Sequence, residues 1–438
     1  MFATIRSIFK NKEVLSRILF TLGMLFIFRL GAQIPAPNVD VANIGDTNNM
    51  IAMMNLLGGG ALDKMSVLAL GVSPYITASI ITQLLSMDVI PHFTELAKSG
   101  QQGKRTLDKY TRYLAVILAF IQGYTMTYVI TDSTGASLLI NDSLAGHLYV
   151  ATVFTAGTFF LLWIADRIST YGIGNGVSMI IFAGIVSGIP YQFAEAFRSL
   201  TSGATGSAYF NGVLTFCGFL LIYLLIIVLV IFIQTATRKI PIQYTSSGVS
   251  MKRRNDMTYL PLKINSASVI PVIFASAVMI SPITIIQLLI NNGIIKSNEF
   301  FVKFASLMNM QSVESLAIYV VLIILFTFFY TKLVIEPEKV AENLQKSGVY
   351  IPGVRPGKET KEYIDKVLSR ITVLGAISLA VIAILPHIAP MLITSLPNSI
   401  QMGGTGLIIV VGVAMETASQ IESKLTQKSY HGFLGSGR

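Results

Sequence analysis

The chain reads VSPYITAS over Val72–Ser79 and VIPVIFAS over Val269–Ser276, so both segments share the pattern V-x-P-x-I-x-A-S at a separation of 197 residues. Each segment lies in a long run without Asp, Glu, Lys or Arg. Proline is favoured in the first turn of a helix, where the N–H that it lacks has no partner in any case. The shared pattern therefore predicts that related helices begin at these two places in a chain with an internal repeat.

Runs without charge dominate the sequence. The chain has 438 residues, of which 53% are hydrophobic and only 12% charged, whereas soluble domains carry about 25% charged residues. Eight uncharged runs hold 225 residues: 65–87, 113–131, 143–165, 168–194, 199–237, 264–295, 315–331 and 371–415. A membrane span needs roughly 20 apolar residues. This pattern excludes a soluble enzyme, a secreted disulfide scaffold and a disordered protein.

The runs predict ten membrane spans. A first helix fits residues 17–34, and the run 371–415 holds two spans because Pro386, Pro390 and Pro397 interrupt it. The two V-x-P-x-I-x-A-S segments open spans two and seven, and an offset of five spans inverts the second half relative to the first. The expected fold is an all-α polytopic membrane protein with ten transmembrane helices in two inverted five-helix halves, residues 1–200 and 201–438.

Positive charge is concentrated on one side of the predicted membrane. The side that holds both termini carries 27 of the 32 Lys and Arg residues, and the other side carries four. Because positive residues stay cytoplasmic, both termini are expected in the cytoplasm. Two long cytoplasmic loops, about 235–266 and 332–370, carry the larger clusters. Their charges are explained either by contact with anionic lipid or by docking of an acidic partner or RNA.

The chain has no pattern typical of catalysis. None of its four histidines lies in H-E-x-x-H, and no G-x-x-x-x-G-K-[ST] motif is present. Arg29 is the only ionisable residue in the middle of a span, whereas ion-coupled transporters usually carry such groups inside their helices. We therefore expect no catalytic residue, metal or cofactor, and favour a passive conduit. The alternatives are a secondary transporter with inverted repeats and an intramembrane hydrolase.

Uncharged polar residues within the spans have two interpretations. Gln83, Gln122 and Asn265 could form ordinary hydrogen bonds between helices, or they could line a seam that opens. The apolar, glycine-rich segment Asn55–Lys64 also has two interpretations, because it fits an external loop and a short re-entrant segment equally well.

The motifs resemble those of the SecY family, the channel-forming subunits of bacterial protein translocases. The resemblance covers almost the whole chain and is carried by six segments: Gly58–Leu62, Ala69–Ser79, Gly172–Gly176, Leu260–Asn265, Tyr350–Gly357 and Gly403–Thr405. It implies that the two halves enclose a central hourglass-shaped pore in the bacterial plasma membrane.

The resemblance also implies roles for individual residues. An apolar pore ring would comprise Val72, Ile76, Val177, Ile181, Ile273 and Ile409. A re-entrant plug over about 51–64 would include Asn55, Leu56, Leu57, Gly58, Gly59, Gly60, Ala61 and Leu62. A lateral gate between spans two and three and spans seven and eight would bring in Gln83, Gln122 and Asn265.

The implied partners follow from the same resemblance. SecE and SecG would be companion subunits, and signal-sequence-bearing preproteins and membrane lipid would meet the channel itself. The motor ATPase SecA or a translating ribosome would contact the cytoplasmic loops through Arg238, Lys239, Lys252, Arg253, Arg254, Arg355 and Lys358. No nucleotide site is then needed in this chain, because a separate motor supplies the energy.

Overall fold

The structure is a computed structural model of the chain. It describes residues 11–39, 65–86, 90–134, 139–140, 143–201, 207–244, 258–291, 303–304, 307–308, 312–392 and 398–435. The described residues form twelve helices of eight residues or more and three strands. The helices of the first half are α1 Lys12–Gly31, α2 Ser73–Leu85, α3 Pro91–Lys98, α4 Gly100–Thr134, α5 Leu144–Tyr171 and α6 Gly176–Thr201.

The second half adds the strands to its helices. Its helices are α7 Ser207–Thr235, α8 Ile270–Asn291, α9 Val313–Val334, α10 Pro337–Lys346, α11 Lys358–Leu392 and α12 Asn398–Gly435. The strands are β1 Thr237–Tyr244, β2 Thr258–Lys263 and β3 Val349–Tyr350. Both repeat segments lie at helix starts, since α2 begins at Ser73 and α8 at Ile270.

Ten of these helices correspond to the ten predicted spans. Within the described residues, seven helices are long and apolar enough to cross a membrane: α1, α5, α6, α7, α9, α11 and α12. The other three predicted spans correspond to α2, α4 and α8. Helix α2 has only 13 residues, about 20 Å at 1.5 Å per residue, because residues 65–72 form turns. The start of α2 at Ser73 agrees with the prediction that Val72–Ser79 opens span two, and the part of the uncharged run before it is not helical.

The run 371–415 holds two helices, as predicted, and the second helix begins directly after Pro397, one of the three prolines expected to divide the run. Helix α11 continues past Pro386 and Pro390 to Leu392, and α12 begins at Asn398. Prolines are tolerated inside membrane helices because neighbouring groups can satisfy the carbonyl that loses its partner. Two prolines that were expected to end the helix thus lie within it.

Helix contacts repeat between the two halves. In the first half α2 packs on α4, α4 on α5, α5 on α6, and α1 on both α5 and α6. In the second half α8 packs on α9, α9 on α11, α11 on α12, and α7 on both α11 and α12. Each pair of the first half thus has its counterpart five spans later. This agreement supports the internal repeat that the two V-x-P-x-I-x-A-S segments predict.

The turns before α2 are buried inside the first half. Met65 and Ser66 are fully buried, and Leu68 is 2% exposed. The Met65 carbonyl accepts a hydrogen bond from the Ala36 N–H at 2.9 Å, and the Val67 N–H donates to the Ile34 carbonyl at 3.1 Å. Irregular backbone is tolerated at membrane depth only where protein surrounds it. The packed helices α1 and α5 supply that enclosure.

A small sheet joins the two long loops that the sequence predicts to be cytoplasmic, about 235–266 and 332–370. Strand β1 lies between β2 and β3 and pairs antiparallel with both. The Tyr350 hydroxyl donates to Gln243 Oε1 at 3.0 Å across the β1–β3 pair. Beneath the sheet lies a separate apolar cluster whose buried members are Ile240, Ile242, Leu262, Val349, Ile351, Ile364 and Ile371. Among the described residues, this sheet is the departure from the predicted all-α fold.

Gly157 of α5 should not tolerate a methyl group. A Cβ added there would overlap the Val67 carbonyl of the buried turns. Gly157→Ala should therefore destabilise the protein by about 1–3 kcal/mol, as overpacking does, and lower its melting temperature in detergent.

Gly218→Ala is the matched control, because nothing lies within 4 Å of a Cβ added at Gly218 of α7. That change should leave the melting temperature equal or slightly higher. Equal melting temperatures for the two variants would contradict the close contact between α5 and the turns.

Candidate functional site

The six apolar residues predicted to form a ring belong to one continuous cluster. Five of them are at most 5% exposed: Val72, Ile76, Ile181, Ile273 and Ile409. The sixth, Val177, is partly buried and packs against the same cluster. The structure thus brings together residues that are up to 337 positions apart in the sequence. Their place within a pore stays a prediction.

The helices that carry these six residues form contacts between the halves. Helix α2 packs on α8, and α6 packs on α12. Three of the residues lie at or near helix starts, since Val72 caps α2, Val177 is second in α6 and Ile273 is fourth in α8. The junction between the halves is therefore lined by aliphatic side chains without charge. Such a lining holds water weakly and can empty of it.

Two of the predicted gate residues, Gln83 and Gln122, have buried oxygens without a hydrogen-bond partner among the described residues. Their helices α2 and α4 both pack on α8, and we call this contact between the halves the seam. Gln83 of α2 donates from Nε2 to Ser79 Oγ at 2.9 Å, whereas the atom without a partner is Oε1 in both residues. A buried polar atom without a partner costs about 1–3 kcal/mol, so these two residues weaken the packing around them.

Asn265 lies outside the helix in which it was predicted. It belongs to the turn between β2 and α8, where its Nδ2 donates to the Ser268 carbonyl at 2.9 Å. Ser268 has a φ of 56°, which marks a tight turn. The backbone of Ile264 and Asn265 packs on Gly375 of α11. This turn connects the sheet to α8, whose start at Ile270 agrees with the prediction that Val269–Ser276 opens span seven.

Two further buried polar atoms belong to residues that were not predicted from the sequence as site residues. Thr158 Oγ1 on α5 and Gln234 Nε2 on α7 have no partner among the described residues. The Gln234 amide lies near Gly412 of α12, because a Cβ added at Gly412 would come within 2.9 Å of Nε2. Gln234 could have been identified from the sequence, because it is the one glutamine in the 39-residue uncharged run 199–237 and lies near its end.

Arg355 is presented on a fixed turn in the segment between α10 and α11. Gly353 and Gly357 adopt φ values of 82° and 103°, which favour glycine. The Arg355 N–H donates to Glu359 Oε2 at 3.3 Å, and its carbonyl accepts from Thr360 Oγ1 at 2.8 Å. The Arg355 side chain is 88% exposed and lies 4.0 Å from Glu359. The backbone is held while the guanidinium faces solvent.

The cations of the two long loops fall into paired and unpaired groups. Lys339, Lys346 and Lys361 each form an ion pair with a glutamate. The hydrogen bond from Lys346 also lowers the pKa of Glu342. In contrast Arg238, Lys239 and Lys358 are exposed and contact no carboxylate in the described part of the chain. Unpaired cations on the strand β1 and beside Arg355 leave a positive surface available to an acidic partner.

Two groups of predicted site residues lie outside the described residues. They are the plug residues 55–62 and the basic cluster Lys252, Arg253 and Arg254. Their predicted roles therefore stay predictions.

Comparison with known proteins assigns the family. A family model described as SecY matches residues 66–418. The chain belongs to the SecY family. It is 45% identical over 438 residues to the protein translocase subunit SecY of Staphylococcus aureus strain NCTC 8325, covering 99% of this chain and 100% of that protein. The SecY of Staphylococcus epidermidis strain ATCC 12228 is equally similar, with the same identity and coverage. This SecY-family chain is thus a multi-pass membrane protein with a transport role.

Solved structures confirm the fold class. One, described as the structure of a protein conducting channel, superposes with a TM-score of 0.66 at 17% identity and covers 94% of this chain and 93% of its own. Sec61 in a canine ribosome-channel complex gives a TM-score of 0.64 at 18% identity with the same coverage. The fold is therefore shared by proteins that differ widely in sequence.

Replacing Gln122 by leucine should stabilise the closed seam of this SecY-family protein. The change removes a buried oxygen that has no partner and keeps a side chain of similar length, so the melting temperature in detergent should rise by an amount equivalent to about 1 kcal/mol. Gln101→Leu is the control on the same helix, because Gln101 is exposed. An unchanged or lower melting temperature for Gln122→Leu, relative to this control, would show that the amide is satisfied in the membrane.

Proposed function

We propose that this chain is the channel-forming subunit of a translocase that passes unfolded preproteins across the bacterial plasma membrane. It also releases apolar segments sideways into the lipid. The observation that carries this proposal is the uncharged apolar junction formed by α2, α6, α8 and α12 where the two halves meet. The family assignment and the fold support the same conclusion.

The chemistry of the junction suits a conduit for varied polypeptides. An exported chain presents acidic, basic, polar and apolar side chains in turn, and a pore with fixed charges would hold some of them strongly. Aliphatic side chains bind none of them strongly, and a narrow apolar constriction blocks ions when it is dry. Val72, Ile76, Val177, Ile181, Ile273 and Ile409 therefore act as a ring around the passing chain.

The seam between α2 and α4 on one side and α8 and α9 on the other is the lateral gate. An apolar signal segment that reaches lipid through this gate gains about 25 cal/mol for each Å² removed from water. Gln83 and Gln122 weaken the closed gate because their buried oxygens lack partners, and water or a passing chain can satisfy them when it opens. The segment 51–64 serves as the plug of the closed channel.

Other proteins supply the driving force and complete the channel. The motor ATPase SecA or a translating ribosome docks on the cytoplasmic loops through Arg238, Lys239, Arg355 and Lys358, together with Lys252, Arg253 and Arg254. SecE and SecG are the small companion subunits. Both termini face the cytoplasm, where the positive residues are concentrated. This chain itself carries out no covalent chemistry.

Reconstitution tests the function. The chain would be placed in liposomes with the companion subunits and the motor ATPase, and an unfolded preprotein would be added with ATP. The proposal expects the preprotein to become protected from added protease only when motor and ATP are both present. Lack of protection, with folded protein in the liposomes, would favour the secondary transporter and a screen of small solutes.

Ile76→Asn should make the closed channel leak. Asparagine in the ring stabilises water in the constriction, so the ion conductance of proteoliposomes without preprotein should rise. Ile323→Asn is the matched control, because Ile323 of α9 is fully buried but lies outside the ring. It should lower the melting temperature without raising conductance. Equal conductance in the two variants would remove Ile76 from the ring.

Arg355→Glu should impair the motor while the protein stays folded. A carboxylate placed against an acidic docking surface is repelled, so the apparent affinity of the motor for proteoliposomes should fall about tenfold. Arg198→Glu is the control, because Arg198 is exposed on the predicted outer side. A normal motor affinity for Arg355→Glu would exclude Arg355 from the docking surface.

A further inference from the structure

One exposed face of α5 carries an unusual row of side chains. Phe160, Trp163, Arg167 and Tyr171 follow one another at intervals of three, four and four residues, which places them along one side of a helix. The three aromatic residues are between 43% and 53% exposed. We call these four residues the α5 ladder.

Ring contacts hold the guanidinium of Arg167 in position. Its Cζ lies 5.5 Å from the ring centroid of Trp163 and 5.7 Å from that of Tyr171. Trp163 in turn stacks on Phe160 at 5.9 Å, and Phe20 of α1 meets Tyr171 edge-on at 6.0 Å. Cation–π contacts of this kind use the face of the guanidinium. The N–H groups at its edge stay available as donors.

The ladder has positive charge that no acid neutralises. Arg167 contacts no carboxylate in the part of the chain that the structure describes. The neighbouring Asp166 is engaged elsewhere, since Arg112 of α4 binds it at 2.8 Å. One uncompensated cation therefore lies between two aromatic rings on an exposed helix face.

The position of the ladder along α5 places it at a membrane surface. The uncharged run ends at Ala165, so Phe160 and Trp163 lie within the apolar part and Arg167 lies directly beyond it. Trp and Tyr are enriched at this depth because one end of each side chain is apolar and the other polar. An acyl chain can thus lie along Phe160 and Trp163 while a headgroup reaches Arg167.

We propose that the α5 ladder binds the phosphate of an anionic phospholipid in the adjacent leaflet. The guanidinium edge donates two hydrogen bonds to the phosphate oxygens, a geometry that arginine and phosphate share. A zwitterionic lipid brings its own cation close to Arg167 and is disfavoured. A lipid is the occupant because the donor lies at the end of a continuous apolar face rather than in a polar cleft. The site does not depend on what passes through the pore.

Trp163 reports on this site directly, because it is the only tryptophan in the chain. The full chain would be reconstituted in nanodiscs that contain a small, equal fraction of phosphatidylglycerol or phosphatidylcholine with brominated acyl chains. Bromine quenches tryptophan fluorescence at short range. One cation near an anionic leaflet enriches anionic lipid about fivefold, so brominated phosphatidylglycerol should quench Trp163 more strongly than brominated phosphatidylcholine.

The variants separate a specific site from general attraction. Arg167→Gln should make the two lipids quench equally, and Arg198→Gln, which removes an exposed cation elsewhere, should keep the preference for phosphatidylglycerol. Arg167→Lys should retain part of the preference, which also shows that the variants fold. Excess inorganic phosphate should have no effect.

Three results would overturn the proposal. They are equal quenching by the two lipids in the unmodified chain, a preference that survives Arg167→Gln, and loss of the preference on adding inorganic phosphate.

Discussion

The apolar contact between the two halves is the interaction on which the rest of this protein depends. Helices α2, α6, α8 and α12 meet there through buried aliphatic side chains, and in the proposed channel this contact excludes water and ions while it is closed. The same contact must also separate to let a polypeptide through. Opening a junction held together by ion pairs would cost much more free energy, because each charge would lose its partner. Aliphatic packing without charges meets both requirements.

In the proposed channel, the buried polar atoms and the small sheet affect how that contact opens. The oxygens without partners on Gln83 and Gln122 make the packing of α2 and α4 weaker than a purely apolar surface would be. The sheet lies wholly in the second half, where β1 follows α7, β2 precedes α8 and β3 lies between α10 and α11. In the proposed mechanism, a partner that docks at Arg355 therefore acts on the half of the chain that contains α8, and one short turn connects the sheet to that helix.

The sequence predicted much of the fold because bilayer thickness and charge leave clear patterns. Uncharged runs marked ten spans, and the two proline-containing segments marked the starts of α2 and α8.

Local features that depend on packing were harder to predict. Pro386 and Pro390 lie within α11 although proline usually ends a helix, and residues 65–72 form buried turns that α1 and α5 enclose. Strand β1 could have been predicted from apolar residues at alternate positions, Ile240 and Ile242. This pattern is short, however, and Pro241 between them is atypical of a strand. Asn265 could not be assigned to a turn without the sheet that precedes it.

The distance across the seam tests the central claim most directly. Spin labels would be placed on exposed positions of opposite halves, Ile117 of α4 and Leu325 of α9, after the exposed Cys217 is replaced by serine. A second pair within the first half, Ile117 and Tyr149, serves as the internal reference. With a preprotein stalled in the channel, the distance between the halves should lengthen while the reference distance stays constant. An unchanged distance between the halves, with the preprotein protected from protease, would contradict a channel that opens where the halves meet.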